Sequence, residues 1–215
     1  MQLIITPESC QNKNNTCKDY FYDFSKNQSL SDFTIEHCKK NVAFVDSELH
    51  ILVTKECSTL LTYKYPLDNA KIEFDMKAAN VNGIATSISV YGENNDEIDI
   101  EIVGKNLTEF QAMYYREGKH NSQKVLNISS DPVSNLAETF HKYTIEKDSK
   151  TIKWYLDGKV VRTINSTDPN FPSTSNIVKF NCWNGVQVQD WAGVNDWKTS
   201  PIFMAIKSIK YTPKC

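Results

Sequence analysis

Glu97, Asp99 and Glu101 alternate with Ile98, Ile100 and Ile102. In an extended strand, successive side chains leave opposite faces. The three acids then share one face and the three isoleucines the other. No basic residue lies within Asp96-Glu97-Ile98-Asp99-Ile100-Glu101. Neighbouring carboxylates raise one another's pKa, which allows one to stay protonated beside one that is ionised. That division of labour is what cleavage of a glycosidic bond needs: one carboxylate attacks the sugar and one acid protonates the leaving oxygen. Taken alone, the run fits a half-exposed strand with a solvated acidic face better. Neighbouring aromatic residues, Tyr91, Tyr114 and Tyr115, weigh toward chemistry.

The spacing sets a geometric demand. Four residues of straight strand span about 13 Å, whereas a retaining pair of carboxyl groups sits roughly 5–5.5 Å apart. Strand curvature, a bulge and inclined side chains have to close that gap. Asp99, between the two glutamates, can share a proton with either, so the three titrate as a set.

The elements that must position these acids read as short strands. Segments 42–45, 50–54, 71–77, 85–91, 97–103, 110–115, 143–147, 151–156, 159–164, 177–183 and 203–211 are rich in Ile, Val, Thr, Phe and Tyr, as strands are. Asp157-Gly158 between two apolar runs is a strong hairpin signal. Helical patterns are scarce, and 133–140 has room for one short helix at most. Many short strands with regular turns predict an all-β sandwich or jelly roll. Residues 1–30 are polar and read as a disulfide-tied arm packed on a single domain, 31–215.

With 215 residues and a formal charge of −2, the chain can bury a substantial core. Its charge balance gives no reason to expect nucleic acid or an anionic membrane as partner. No apolar run reaches transmembrane length, so no membrane-spanning segment is expected. The six cysteines lack C-x-x-C spacing, and disulfides are the better reading, pointing to an oxidising compartment. Cys10 and Cys17 are spaced to close a short loop. Asn14, Asn27, Asn106, Asn127 and Asn165 each begin an N-x-[ST] sequon, which supports passage through a secretory pathway. No signal peptide is visible at the start of the chain. His37, His50, His120 and His141 show no ligand spacing, and neither a metal nor a cofactor is expected.

Beyond the acids, further blocks follow in order: Lys77-Ala78-Ala79, Gly83-Ile84, Phe110-Gln111, Tyr114-Tyr115, Gly118, Phe140-His141, Tyr143-Thr144-Ile145, Trp154-Tyr155-Leu156-Asp157-Gly158, Val161-Arg162, Phe171-Pro172, Trp183, Trp191-Ala192-Gly193 and Asp196-Trp197. With Glu97-Ile98-Asp99-Ile100-Glu101 as an E-x-D-x-E motif, this series resembles glycoside hydrolase family sixteen. Within that family it is similar to the Crh-type fungal cell-wall transglycosylases, over roughly 10–211. Cys10 and Cys17 resemble that group's N-terminal cysteine pair. The family usually has Asn where Met113 stands, and the W-A-G-G stretch is altered here to Trp191-Ala192-Gly193-Val194.

The resemblance implies a concanavalin-like β-jelly roll of two curved antiparallel sheets with substrate in the concave cleft. It implies Glu97 as nucleophile, Asp99 as assisting acid and Glu101 as general acid/base. Candidate sugar contacts are Tyr91, Gln111, Tyr115 (on the parity of Gln111 and Met113), Trp183, Trp191 and Trp197, since aromatic rings cover the apolar face of a pyranose. The expected function is a secreted retaining glycosidase or transglycosylase that cleaves chitin and transfers it to β-glucan, acting as a monomer in a cell or spore wall. A β-1,3-glucan hydrolase and a non-catalytic carbohydrate-binding wall protein on the same fold are the alternatives.

Overall fold

Period-two alternation builds this molecule. In the strand Ala70–Lys77, Ala70, Ile72, Phe74 and Met76 are buried, while the residues between them are part-exposed. The computed structural model describes residues 17–119 and 125–214. They form fifteen strands in two antiparallel sheets, of eight and seven strands. Pairing of Cys10 with Cys17, the sequon at Asn14 and Cys215 fall outside the described residues.

The eight-stranded sheet contains β1 (Tyr20–Asp23), β3 (Val42–Val45), β4 (Glu48–Val53), β6 (Ala70–Lys77), β11 (His141–Lys147), β12 (Thr151–Leu156), β13 (Lys159–Asn165) and β15 (Ile202–Pro213). Its order is β13-β12-β11-β6-β15-β4-β3, and β1 also pairs with β15. The seven-stranded sheet contains β2 (Phe33–Ile35), β5 (Thr59–Tyr63), β7 (Ile84–Tyr91), β8 (Glu97–Val103), β9 (Asn106–Tyr115), β10 (Leu126–Ser129) and β14 (Ile177–Asn184). Its order is β10-β9-β8-β7-β14-β5-β2. The acidic run is therefore a central strand, held by backbone hydrogen bonds on both sides.

The core lies between the sheets. Ile98, Ile100 and Ile102 of β8, Phe110 and Ala112 of β9, and Val178 and Phe180 of β14 meet Ile72, Phe74, Met76, Tyr143, Ile145 and Trp154 from the opposite layer. Trp154 is fully buried, and its indole Nε1 donates across the core to the backbone carbonyl of Asp99 at 3.0 Å. Arg162 of β13 stacks over the rings of Tyr114 and Trp154 and donates to the carbonyl of Ala112. Those contacts tie the far sheet to the strand carrying the acids and to its neighbour.

Four expectations change. The stretch read as a polar arm contains β1, which pairs with β15 from Tyr20↔Tyr211 to Asp23↔Ser208, and the fully buried Phe24. Residues 133–140 form no helix: Leu136 donates its N–H to the Leu107 carbonyl and accepts from Ala78, so its backbone serves strand ends instead. Cys182 is a buried free thiol; it shares the inner face of β14 with Phe180, where it packs as a small apolar group. Segments 20–23, 33–35, 59–63 and 126–129 are strands that were not among the expected segments. Cys38 and Cys57 do form a disulfide. The Asp157-Gly158 turn joins β12 to β13 with positive φ at both residues (49° and 79°), as a tight hairpin of this kind requires.

Trp154→Ala should lower unfolding stability by about 3–5 kcal/mol. Trp154→Phe, which keeps most of the ring but loses the bond to Asp99, should lower it by about 1–2 kcal/mol. Urea unfolding midpoints at constant m-value check both.

Candidate active site

The outward side chains of β7, β8, β9 and β14 line a cleft of about 940 Å³. Register sorts them into rows. Tyr91, Glu97 and Tyr115 lie opposite one another across β7, β8 and β9; Ser89, Asp99 and Met113 form the next row; Ser87, Glu101 and Gln111 form the third. Among the described residues lining this cleft there is no Lys, Arg or His. The register of β8 against β9 shifts between Glu101 and Val103, so the bulge comes at the end of the acidic run.

Burial governs the protonation of the acids. It pushes the Glu101 carboxyl up to about 7; the Ser87 hydroxyl bond opposes this and the Glu97 charge adds to it. Asp99, with 2% of its surface exposed, is raised well above the ordinary carboxylate range, first by burial and then by the charges of Glu97 and Glu101. Glu97 is also raised by burial, but hydrogen bonds from Asp99 and Tyr91 favour its ionised form. The arrangement therefore makes Glu97 the group most readily ionised and leaves Glu101 with a proton to give near neutrality.

Polar contacts fix the third row. The Trp183 indole donates to Ser87 Oγ at 2.6 Å, and Ser87 Oγ donates to Glu101 Oε1 at 3.2 Å. Trp191 donates through Nε1 to Gln111 Oε1 at 2.8 Å. The two indoles stack with centroids 5.8 Å apart and an interplanar angle of 23°. Trp191 sits on the single-turn helix α1 (Gln189–Ala192), which is pinned by Lys105 Nζ donating to the Asp190 carbonyl at 2.8 Å. Gly83 N–H donates to the Ala192 carbonyl at 3.0 Å. Gly193 follows at φ 89°, where a Cβ would come within 1.8 Å of Asn82 Oδ1; only glycine allows this loop to close on its neighbour.

Asp96 holds the entry to β8. It is buried. Its Oδ1 accepts from the Glu117 backbone N–H at 3.1 Å, and its Oδ2 accepts from Thr174 N–H at 3.1 Å and Thr174 Oγ1 at 2.9 Å. One carboxylate thus joins two loops to the strand that carries the acids.

Of the residues singled out by sequence, Tyr91, Glu97, Asp99, Glu101, Gln111, Tyr115, Trp183 and Trp191 line the cleft. Trp197 does not; it packs against the core at a positive φ of 58°. Its place in the altered loop turns it inward. Tyr114 faces the core and donates to Asp168 Oδ2 at 2.6 Å. Sequence reasoning passed over Ser87, Ser89, Asn181, Val125 and Val188, which line the cleft; Met113, placed on this face by parity with Gln111 and Tyr115, and Gly118 line it as well. Strand parity with Tyr91 and Trp183 carries the signal for the serines and Asn181; the loop residues have none.

Comparison with known proteins identifies the scaffold. The sequence profile of the glycosyl hydrolases family 16 matches residues 29–199. The chain belongs to this family. It is 33% identical to a β-glucanase of Bacillus licheniformis over 164 residues, covering 74% of this chain and 63% of that protein. With Crh-like protein 5 of Aspergillus fumigatus it shares 29% identity over 210 residues, covering 93% of this chain and 52% of the relative. The structure of a Crh5 transglycosylase in complex with NAG superposes with a TM-score of 0.82 at 26% identity, over 92% of this chain and 84% of that one. The chain thus spans about three fifths of the length of the β-glucanase and about half that of the Crh-like protein.

Because Glu101 binds its proton more tightly in the folded state than at the ordinary glutamate value of 4.5, the unfolded chain ionises first as pH rises. Stability is therefore lost between about pH 4.5 and 7. Glu101→Gln removes this loss: its thermal midpoint should exceed that of the wild type at pH 8, with the gap closing toward pH 4.5. Paired melting curves across that range are the check.

Proposed function

We propose that this protein is a retaining transglycosylase of cell-wall polysaccharide. The observation that carries the proposal is the cleft itself: three carboxyl groups in adjacent cross-strand rows, ranked by burial and hydrogen bonding, with no cation among the described lining residues. Glu97 attacks the anomeric carbon while Glu101 gives its proton to the departing glycosidic oxygen. The carbon–oxygen bond to the leaving chain breaks as the bond to Glu97 forms. Asp99 donates to Glu97 in the free enzyme, keeping it anionic and oriented. In the second step Glu101, now ionised, takes a proton from the acceptor hydroxyl, which displaces Glu97. Water as acceptor gives hydrolysis; a sugar hydroxyl gives transfer.

Trp183 and Trp191 offer a stacked indole surface for a pyranose, and Gln111, Asn181 and Tyr115 supply polar groups along the same floor. A chitin donor and a β-glucan acceptor are supported by the likeness to the Crh-like protein and to the Crh5 transglycosylase holding NAG. Extracellular placement in a wall agrees with the Cys38–Cys57 disulfide. Hydrolysis of β-glucan is the second reading, supported by the identity with the Bacillus β-glucanase.

Labelled chitin oligosaccharides incubated with β-1,3-glucan separate these outcomes. Wild type should produce labelled polymer, and Glu97→Gln should lower the rate by about 10⁴-fold or more. Glu101→Gln should lose about 10²–10⁴-fold, least where the leaving group needs no proton. Shortened oligomers without labelled polymer would point to hydrolysis. Equal binding without turnover in wild type and variant would defeat the enzymatic reading.

A further inference from the structure

Asp99 has one side with partners and one without. Ser89 on β7 and Glu97 on its own strand are hydrogen-bonded to its carboxyl, yet its buried Oδ1 has no hydrogen-bond partner. Directly across on β9 stands Met113, itself only 4% exposed. A thioether has no N–H or O–H to offer. Its sulfur is turned to the Tyr115 hydroxyl, which donates to it at 3.1 Å. An orphaned buried oxygen is unfavourable for a carboxylate and tolerable for a neutral acid.

We propose that Met113 is a positioning residue for the acid pair: a side chain without a donor that keeps Asp99 neutral, so that the Asp99 proton is directed onto Glu97. The inference rests on the reading of Glu97 as nucleophile. The other groups facing Asp99 do not supply the missing donor to Oδ1. Glu97 and Glu101 flank it on β8; Tyr91 and Ser89 lie on β7; Gln111 and Tyr115 lie on β9 beside the glutamates. Lys179 of β14 stands in the same cross-strand row beyond Ser89, but it donates to Glu36 at 2.8 Å. Trp154, from the opposite sheet, bonds the Asp99 backbone rather than its carboxyl.

An amide at position 113 would donate to Oδ1 and favour the ionised form of Asp99. Glu97 would then lose its donor and gain a neighbouring charge, so its own proton affinity would rise. In Met113→Gln, carboxyl-carbon NMR should show Asp99 titrating about one pH unit or more lower than in wild type. The acidic limb of kcat/KM should move up by about one unit. Met113→Leu, apolar and of similar volume, should leave both where they are. Met113→Thr supplies a smaller donor and repeats the test if the glutamine variant does not fold. The proposal is overturned if Asp99 titrates at its wild-type pH in the donor variants, or if Met113→Leu moves it as far. Asp99 titration is read without substrate, so failure of the nucleophile assignment, seen as full turnover by Glu97→Gln, is a separate result.

Discussion

Three carboxyl groups on one face of one strand, with no cation among the described residues around them, is the arrangement that the rest of this structure has to hold together. Left to itself, such a strand would turn its acids to water and splay them apart. Here the backbone ladders of β7 and β9 fix β8 from both sides, and the alternating isoleucines are sealed between the sheets. Pulling the acids outward would pull three isoleucines from the core. Each buried aliphatic side chain contributes about 1.5–3 kcal/mol by leaving water, which opposes that displacement.

The second layer acts on the site without reaching it. Trp154 grips the backbone of Asp99 from beneath, and Arg162 braces the Ala112 carbonyl one strand away. Above the floor, the Trp183–Ser87–Glu101 chain of hydrogen bonds connects an aromatic surface to the Glu101 carboxyl. Asp96 closes the entry to the strand by joining the loops at Glu117 and Thr174. The same residue type therefore has two roles in nearby positions: Asp96 is satisfied by backbone and hydroxyl donors and joins loops, while Asp99 has a buried oxygen with no donor.

Much of this was legible in the sequence because period two is a strong signal. The acids, Gln111, Tyr115 and Trp183 follow from parity along strands whose inner faces are apolar, and the Asp157-Gly158 hairpin follows from turn chemistry. Ser87 and Ser89 were passed over because small hydroxyl residues carry little propensity signal, although they stand opposite Glu101 and Asp99. β1 was missed because its short aromatic run, Tyr20-Phe21-Tyr22, is embedded in a stretch whose other residues are mostly polar. Trp197 was misplaced because its neighbourhood is loop, where side-chain direction depends on individual φ values. Cys182 illustrates a different limit: an even cysteine count suggests bridges, but a cysteine facing a sandwich core has apolar neighbours instead of a partner.

The openness of the cleft has a consequence for the acids in its floor. Glu97 and Glu101 are part-exposed to it, whereas Asp99 between them is buried. If the proposed function holds, a polysaccharide laid along the rows would replace water in the cleft with carbon and hydroxyl groups and lower the local dielectric. Every charge in the floor would become harder to maintain, and protons would be drawn toward Glu101 and Asp99 as the sugar settles. Under that reading a bound sugar would belong to the medium that sets the acidity of the carboxyl groups beneath it, and a chain long enough to cover the floor would meet a different set of acids from a short one.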